Sequence, residues 1–185
     1  MRHPLEFIPQ NLVHPLFYVF FILTILIFGI FNILDVPLRT EVAPNGIVSL
    51  ELAGTAEKAF QILVSWEPIN YQGPEIVAMR GKLIAAFGLG LDYLFMPVYA
   101  FALGFGILMA TARHKGRIKQ LGVIAGWGAF IAALFDAVEN YMLFQVVLGD
   151  FSSPRPEIAA LCATIRFCLL IFGLVVIGVA RATRK

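Results

Sequence analysis

The chain is 185 residues long, 59% hydrophobic and only 14% charged, with a formal net charge of +2 and a mean hydropathy of +0.84. That composition excludes an ordinary soluble domain, and so small a net charge excludes a nucleic-acid partner, which needs a larger basic surface. Four apolar stretches, 15–35, 83–110, 122–148 and 157–180, reach the ~20 residues that cross ~30 Å of hydrocarbon as helix. The fold class is therefore all-α: a bundle of four transmembrane helices forming a single integral membrane domain over 1–185, with a structured outer loop at 36–80.

The first stretch follows Arg2 as a secretory signal would, but its apolar core continues through Phe31, Asn32 and Ile33 to Asp35 without a small-residue cleavage site. It reads as a retained helix. Thr24 and Asn32 lie along one stripe of it, and the rest is crowded with phenylalanine, which suits lipid contact or packing. In the loop that follows, Gly46-Ile-Val-Ser-Leu-Glu-Leu-Ala53 alternates apolar and polar residues as a short strand does. Gly54-Thr55 then offers an N-cap, and an interfacial amphipathic helix is expected over about 55–66, ended by Pro68. Ala59, Phe60, Ile62, Leu63 and Trp66 crowd one side of it, so it is expected to lie on the membrane surface or roof the bundle; the alternative is a lid.

Ionisable side chains interrupt the other three stretches: Asp92 in the second, Asp136 and Glu139 in the third, Arg166 in the fourth. Each disfavours insertion by roughly 2.5–3.5 kcal/mol at a helix centre on translocon scales, so such residues usually face the protein interior and mark a site. Asp136, Glu139 and Asn140 stand at i, i+3 and i+4, one patch of the third helix. Stepping back from Asp136 gives Ala132, Ala129, Gly128 and Ala125, small residues that let helices approach closely in lipid. Asp92 shares its face with Ala85, Gly88, Met96 and Tyr99; Arg166 shares its face with Ala159, Cys162, Ala163 and Gly173. Pro97 removes the helical donor to the Tyr93 carbonyl beside this cluster. Gly88-Leu-Gly90 and Gly104-Phe-Gly106 read as helix-packing glycines, and Cys162 and Cys168, six residues apart on one helix and not stacked, read as packing cysteines.

Topology follows from the basic residues, which concentrate in short cytoplasmic loops. Arg113, His114, Lys115, Arg117 and Lys119 occupy the loop between the second and third helices with no acid among them, and Arg181, Arg184 and Lys185 end the chain. Both termini are thus expected in the cytoplasm, with the protein in the plasma (inner) membrane and the 36–80 loop outside. Measured from the outer boundaries at 1.5 Å per residue, Asp92, Asp136, Glu139 and Arg166 all lie roughly 12–18 Å deep. One shared layer on three helices points to a single interior network. Its three carboxylates and one guanidinium leave a formal charge of about minus two in a medium where unpaired charge is strongly disfavoured. At least one acid is therefore expected to hold a proton, unless a cation, a basic ligand or water reaches the cluster.

Other chemistries find no residues. His3, His14 and His114 lie outside the hydrocarbon layer, so no intramembrane histidine metal site is expected, and no cofactor or metal is implied. The chain has no phosphate-binding glycine loop, no Gly-x-Ser-x-Gly and no Cys-x-x-Cys.

The strings Leu91-Asp-Tyr-Leu-Phe95 and Leu134-Phe-Asp-Ala-Val-Glu-Asn140, preceded by Leu50-Glu-Leu-Ala-Gly-Thr-Ala-Glu-Lys-Ala59, resemble an uncharacterised family of small bacterial four-helix integral membrane proteins. The resemblance covers about 48 to 180 and implies a fold and a membrane location, with a basic residue at the place of Arg166; it brings no activity with it.

The residues support three classes of function. A binding or transport-related bundle comes first, with Asp92, Asp136, Glu139, Asn140, Arg166 and Tyr99 as ligand- or proton-binding candidates and a small cationic or amphipathic molecule as ligand. An accessory subunit of a larger membrane complex is the second, and a membrane-embedded acid/base enzyme acting on a lipid-like substrate is the third; whether the chain is an enzyme is left open. Membrane lipid is an expected neighbour, and a homo-oligomer or larger complex is a further expectation, since four spans are few for a transporter. Against all three stands a plainer role, in which the ionic network only fixes helix pairing and register.

Overall fold

A computed structural model describes residues 2–67 and 80–183 of the chain, and every regular element among them is helical. Helix α1 spans Gln10–Asp35 and leads through a 3-10 turn, Val36–Leu38, to the short α2, Ile47–Glu51, and to α3, Ala56–Ser65. The long helices α4, Arg80–Thr111, α5, Arg117–Val147, and α6, Arg155–Ala182, complete the order. Four of these helices, α1, α4, α5 and α6, are long and apolar enough to cross a membrane, which matches the four apolar stretches of the sequence.

Two compact units divide the chain. One comprises Met1–Ile27, Phe95–Phe135 and Ile165–Lys185, the other Phe28–Leu94 and Asp136–Thr164.

In the first unit, Leu5, Val13 and Phe105 are buried together, with Phe17, Phe20, Phe101 and Phe130 packed against them. The rings of Phe20 and Phe101 stack at 4.9 Å, and Phe130 meets Phe101 edge-on at 5.3 Å, arrangements that aromatic quadrupoles favour. The phenylalanines of α1 therefore serve packing on one side, while Phe21 and Phe28 stay exposed with most of the helix. Thr24 donates to the Phe20 carbonyl and Asn32 to the Phe28 carbonyl, each one turn back on α1 itself. Such back-bonding satisfies the polar side chains locally, so neither recruits a neighbouring helix.

The segment before α1 is anchored in the same unit. His3 is buried, its Nδ1 accepts from the Leu5 backbone N–H at 3.2 Å, and the Trp127 indole donates to the Arg2 carbonyl at 3.1 Å. Its ring lies where a Cβ on Gly126 would stand, so glycine at 126 makes room for it. Burial lowers the His3 pKa to about 4, although Glu6 works in the opposite direction. The imidazole is then neutral at neutral pH, as an Nδ1 acceptor must be.

The second unit has its own apolar core. Leu38, Ala43, Leu50 and Ala53, the α3 residues Ala59, Ile62 and Leu63, and Trp66 are buried with Ala85 and Leu89 of α4, Leu143, Val146 and Val147 of α5, and Ala159 of α6. The amphipathic helix thus packs its apolar face on membrane-spanning helices, while Phe60, placed by its sequence position on that face, is exposed. Thr55 caps α3 by accepting from the Lys58 N–H at 3.3 Å, and Trp66 closes it; Pro68 lies outside the described residues. The Trp66 indole donates to the Leu38 carbonyl at 2.7 Å, tying the end of α3 to the turn after α1. Ser65 donates its only hydroxyl proton to the Ile62 carbonyl at 2.7 Å, so in its 2.8 Å contact with Thr40 it is the acceptor.

The expected strand at 46–53 is not formed: Ile47–Glu51 is a short helix. A lone strand would leave its ladder groups unpaired, whereas the helix bonds Leu52 N–H to the Val48 carbonyl at 3.1 Å. Asp35, at the far end of α1, accepts the Ile47 N–H at 2.8 Å and so satisfies one of the donors a helix start leaves open. Gly46 enters this helix at φ +56, and a Cβ there would fall inside the Asp35 carboxylate. Gly46→Ala is expected to destabilise the protein by about 1–3 kcal/mol from backbone strain, plus the cost of displacing the Asp35 cap. Gly116→Ala is the comparison, because it shares a positive φ of +64 but opens onto empty space. Thermal melting of both variants in detergent checks this; equal melting would remove the Asp35 contribution.

Two smaller readings need correction. Gly104 and Gly106 are packing glycines, since a Cβ on Gly104 would lie 3.1 Å from Leu5 and one on Gly106 3.3 Å from Ile177, but Gly88 and Gly90 have nothing within 4 Å of that position. Cys162 is buried as expected, whereas Cys168 is exposed and packs no core. Its position, six residues from Cys162, carries it off the buried face of α6.

Candidate functional site

Along α5 the fully buried positions run Ala125, Ala129, Ala132, Asp136, Glu139, Asn140, Leu143 and Val146, one continuous stripe at helical spacing. Asp136 and Glu139 are 0% exposed and Asn140 1%. The small residues before the acids allow the close approach that covers the stripe, as Gly122 illustrates: a Cβ there would meet the Thr111 side chain of α4 within 2.8 Å. Carboxylates seated on such a stripe are held away from the acyl chains.

On α4 the buried positions Ala85, Leu89, Met96 and Tyr99 flank Asp92, which is itself half-buried. The structure joins Asp92 to α5 through Asn140, whose side-chain amide donates to Asp92 Oδ2 at 2.8 Å and to the Leu89 carbonyl at 3.2 Å. Both partners are acceptors, which fixes the orientation of the amide. The bond to the carboxylate is the shorter of the two. Tyr93, the next residue of α4, reaches α5 as well, its hydroxyl donating to the Ala137 carbonyl at 3.4 Å. Its ring is largely exposed, and so is that of Tyr141, so neither tyrosine is enclosed with the acids. Helix α4 continues unbroken through Pro97.

Arg166 and Tyr99 belong to the other compact unit. Arg166 is 7% exposed, with its guanidinium carbon 4.5 Å from the centre of the Phe167 ring, a distance at which a cation is attracted to the aromatic face. Ala159, Cys162 and Ala163 on the same side of α6 are buried with it. Tyr99 is buried and meets Phe95 edge-on at 5.3 Å.

Of the residues singled out from sequence, the structure therefore unites Asp92 with Asn140 directly and buries Asp136 and Glu139 on the same helix as Asn140. Arg166 and Tyr99 are buried as well and belong to the other unit. The Leu89 and Ala137 carbonyls were not foreseen as polar partners; the signals available were an amide at i+4 from Asp136 and a tyrosine hydroxyl next to Asp92, whose donors had to end on some acceptor. Among the described residues no three His, Cys, Asp or Glu side chains gather as metal ligands would. Compared with known protein families, curated proteins and solved structures, the chain matches none.

Proposed function

We propose that the protein is a multipass membrane bundle that binds a small cationic or amphipathic ligand, or performs a proton-linked step of its transport, at the carboxylates of α4 and α5. The observation that carries the reading is the Asn140 bridge: an amide of α5 orients the Asp92 carboxylate of α4, and the same α5 buries Asp136 and Glu139 completely. Ionisable groups so placed in a membrane-spanning helix are costly, and they persist where a proton, ion or ligand uses them. Arg166 supplies the positive charge that offsets these acids in this reading, and Tyr99 is a further ligand-binding candidate. Transport by four spans takes a homo-oligomer or a larger complex. Native mass spectrometry of the purified protein, followed by titration with a membrane-partitioning amine between acid and alkaline pH, tests the reading. A pH-dependent affinity supports it, and an affinity indifferent to pH ends it.

The orientation belongs to the same proposal. The basic turn between α4 and α5 and the basic end of α6 support an orientation with both termini in the cytoplasm and residues 36–80 outside. Cysteines introduced at Lys58 and Gly116, both exposed, are expected to react with an impermeant reagent in intact cells at 58 only; labelling at 116 alone would invert the topology.

An accessory subunit of a larger complex is a second reading, and α1 favours it. Only 6% of its most apolar window is buried, while Tyr18, Phe21, Ile22, Ile25, Leu26 and Phe28 are exposed. A protein partner that co-purifies through α1 would support this reading.

A further inference from the structure

At the α4–α5 turn an open groove of about 520 Å³ is lined by Gly116, Lys119, Gln120, Val123 and Ile124, a volume within the range of ~300–1,000 Å³ typical of small-molecule sites. Its lining changes character along the helix axis. Lys119 and Gln120 form a polar turn at the start of α5, and Val123 and Ile124, each four residues on, form the apolar turn above it. Lys119 to Ile124 covers about 7.5 Å of helix rise, the step from a headgroup to the top of an acyl chain. Ile124 is 56% exposed, and Trp127, one turn further along that side, is 44% exposed with its indole bonded to the Arg2 carbonyl. An exposed tryptophan at that depth marks the membrane interface.

The charge at the groove is unmatched. In the second unit, three basic side chains each meet a carboxylate: Arg39 with Asp35 at 3.0 Å, Arg155 with Asp150 at 2.9 Å, and Lys82 with Glu67. The Asp150 carboxyl is held below its usual range, first by the Ser152 side chain and backbone and then by Arg155. Around the groove, Arg113, Lys115, Arg117 and Lys119 are all exposed, and among the described residues none of them takes part in an ion pair. Gly116, at φ +64, leaves the mouth of the groove open, with nothing within 4 Å of where a Cβ would stand.

We infer that this groove is a binding site for an anionic phospholipid, with its phosphate on Lys119 and the neighbouring basic turn and one acyl chain along Val123 and Ile124. Positive charge beside a membrane-spanning helix attracts acidic headgroups by about 1 kcal/mol per Lys or Arg, and the apolar half of the groove accepts only a ligand that reaches it from the hydrocarbon layer. A basic loop serving topology alone needs no groove and gives no weight to Lys119 over Lys115.

That difference supplies the test. The purified full chain in detergent is titrated with phosphatidylglycerol and with phosphatidylcholine of identical chains, and adducts are counted by native mass spectrometry. Phosphatidylglycerol is expected to bind at least about fivefold more tightly, the ratio of one such charge contact. Lys119→Gln should abolish that preference, Lys115→Gln should leave most of it, and Ile124→Trp, which fills the apolar turn without changing charge, should weaken phosphatidylglycerol binding. Millimolar inorganic phosphate should not compete. Equal binding of the two lipids, equal losses in the two lysine variants, or displacement by free phosphate would each overturn the assignment. All three substitutions lie at exposed positions of α5 or its preceding turn, and unchanged melting confirms that the fold is intact.

Discussion

With Arg166 as the proposed counter-charge, Arg166→Leu is expected to cost the protein about 3–5 kcal/mol, the loss typical of removing one partner of a buried charge pair. Leucine keeps much of the side-chain bulk, so the cost is electrostatic more than steric. Arg166 is 7% exposed on α6, and Asp136 and Glu139 are 0% exposed on α5. In the proposed reading it is the positive charge that makes their burial tolerable. Removing it leaves carboxylates in a low-dielectric interior, where they must unfold the helix packing, take up protons or admit water. Loss of the interaction with Phe167 adds a smaller term, of order 0.5–2 kcal/mol. Thermal melting in detergent measures the effect, and a double-mutant cycle assigns it. In the Arg166→Leu background, Glu139→Gln should restore part of the lost stability because it removes one of the uncompensated charges. An Arg166→Leu protein that melts like the native chain would show that Arg166 is not the counter-charge.

Glu139→Gln on its own separates a working site from a scaffold. Glutamine is close in shape and retains hydrogen-bonding capacity, so if the acids only hold helices in register the change is neutral or mildly stabilising and alters nothing else. If the acids take a cation or a proton, the fold survives and the pH dependence of ligand binding disappears. Competition sets the sign: a proton on the carboxylate removes the charge that attracts the cation, so native binding weakens as pH falls, and an amide has no such proton to gain. Binding of a membrane-partitioning amine across pH, with melting measured on the same samples, reads both quantities. An unchanged pH slope in the variant would take Glu139 out of the site.

What the chain alone determines is set by short-range spacing and by the solvent it must satisfy. Long apolar runs have one low-energy solution in hydrocarbon, the helix, because every backbone group must bond internally; the spans of α1, α4, α5 and α6 follow. The period of 3.6 residues likewise puts Asp136, Glu139 and Asn140 on the stripe of Ala125, Ala129 and Ala132, and the structure buries that stripe. The cap at Thr55 and the apolar side of α3 are equally local features. Tertiary structure decided what depends on partners distant in sequence. An alternating pattern at 46–53 suits a strand only if another strand pairs with it, and here Asp35, twelve residues before Ile47, supplies the bond that starts a helix instead. Asn140 could have donated to any nearby acceptor, and only the approach of α4 selected Asp92 and the Leu89 carbonyl, 48 and 51 residues away. The burial of His3 against Gly126 and the open space at Gly88 are of the same kind. Spacing states which face a residue occupies, but only packing determines what that face meets, because the cost of burying a polar group depends on the partner waiting for it.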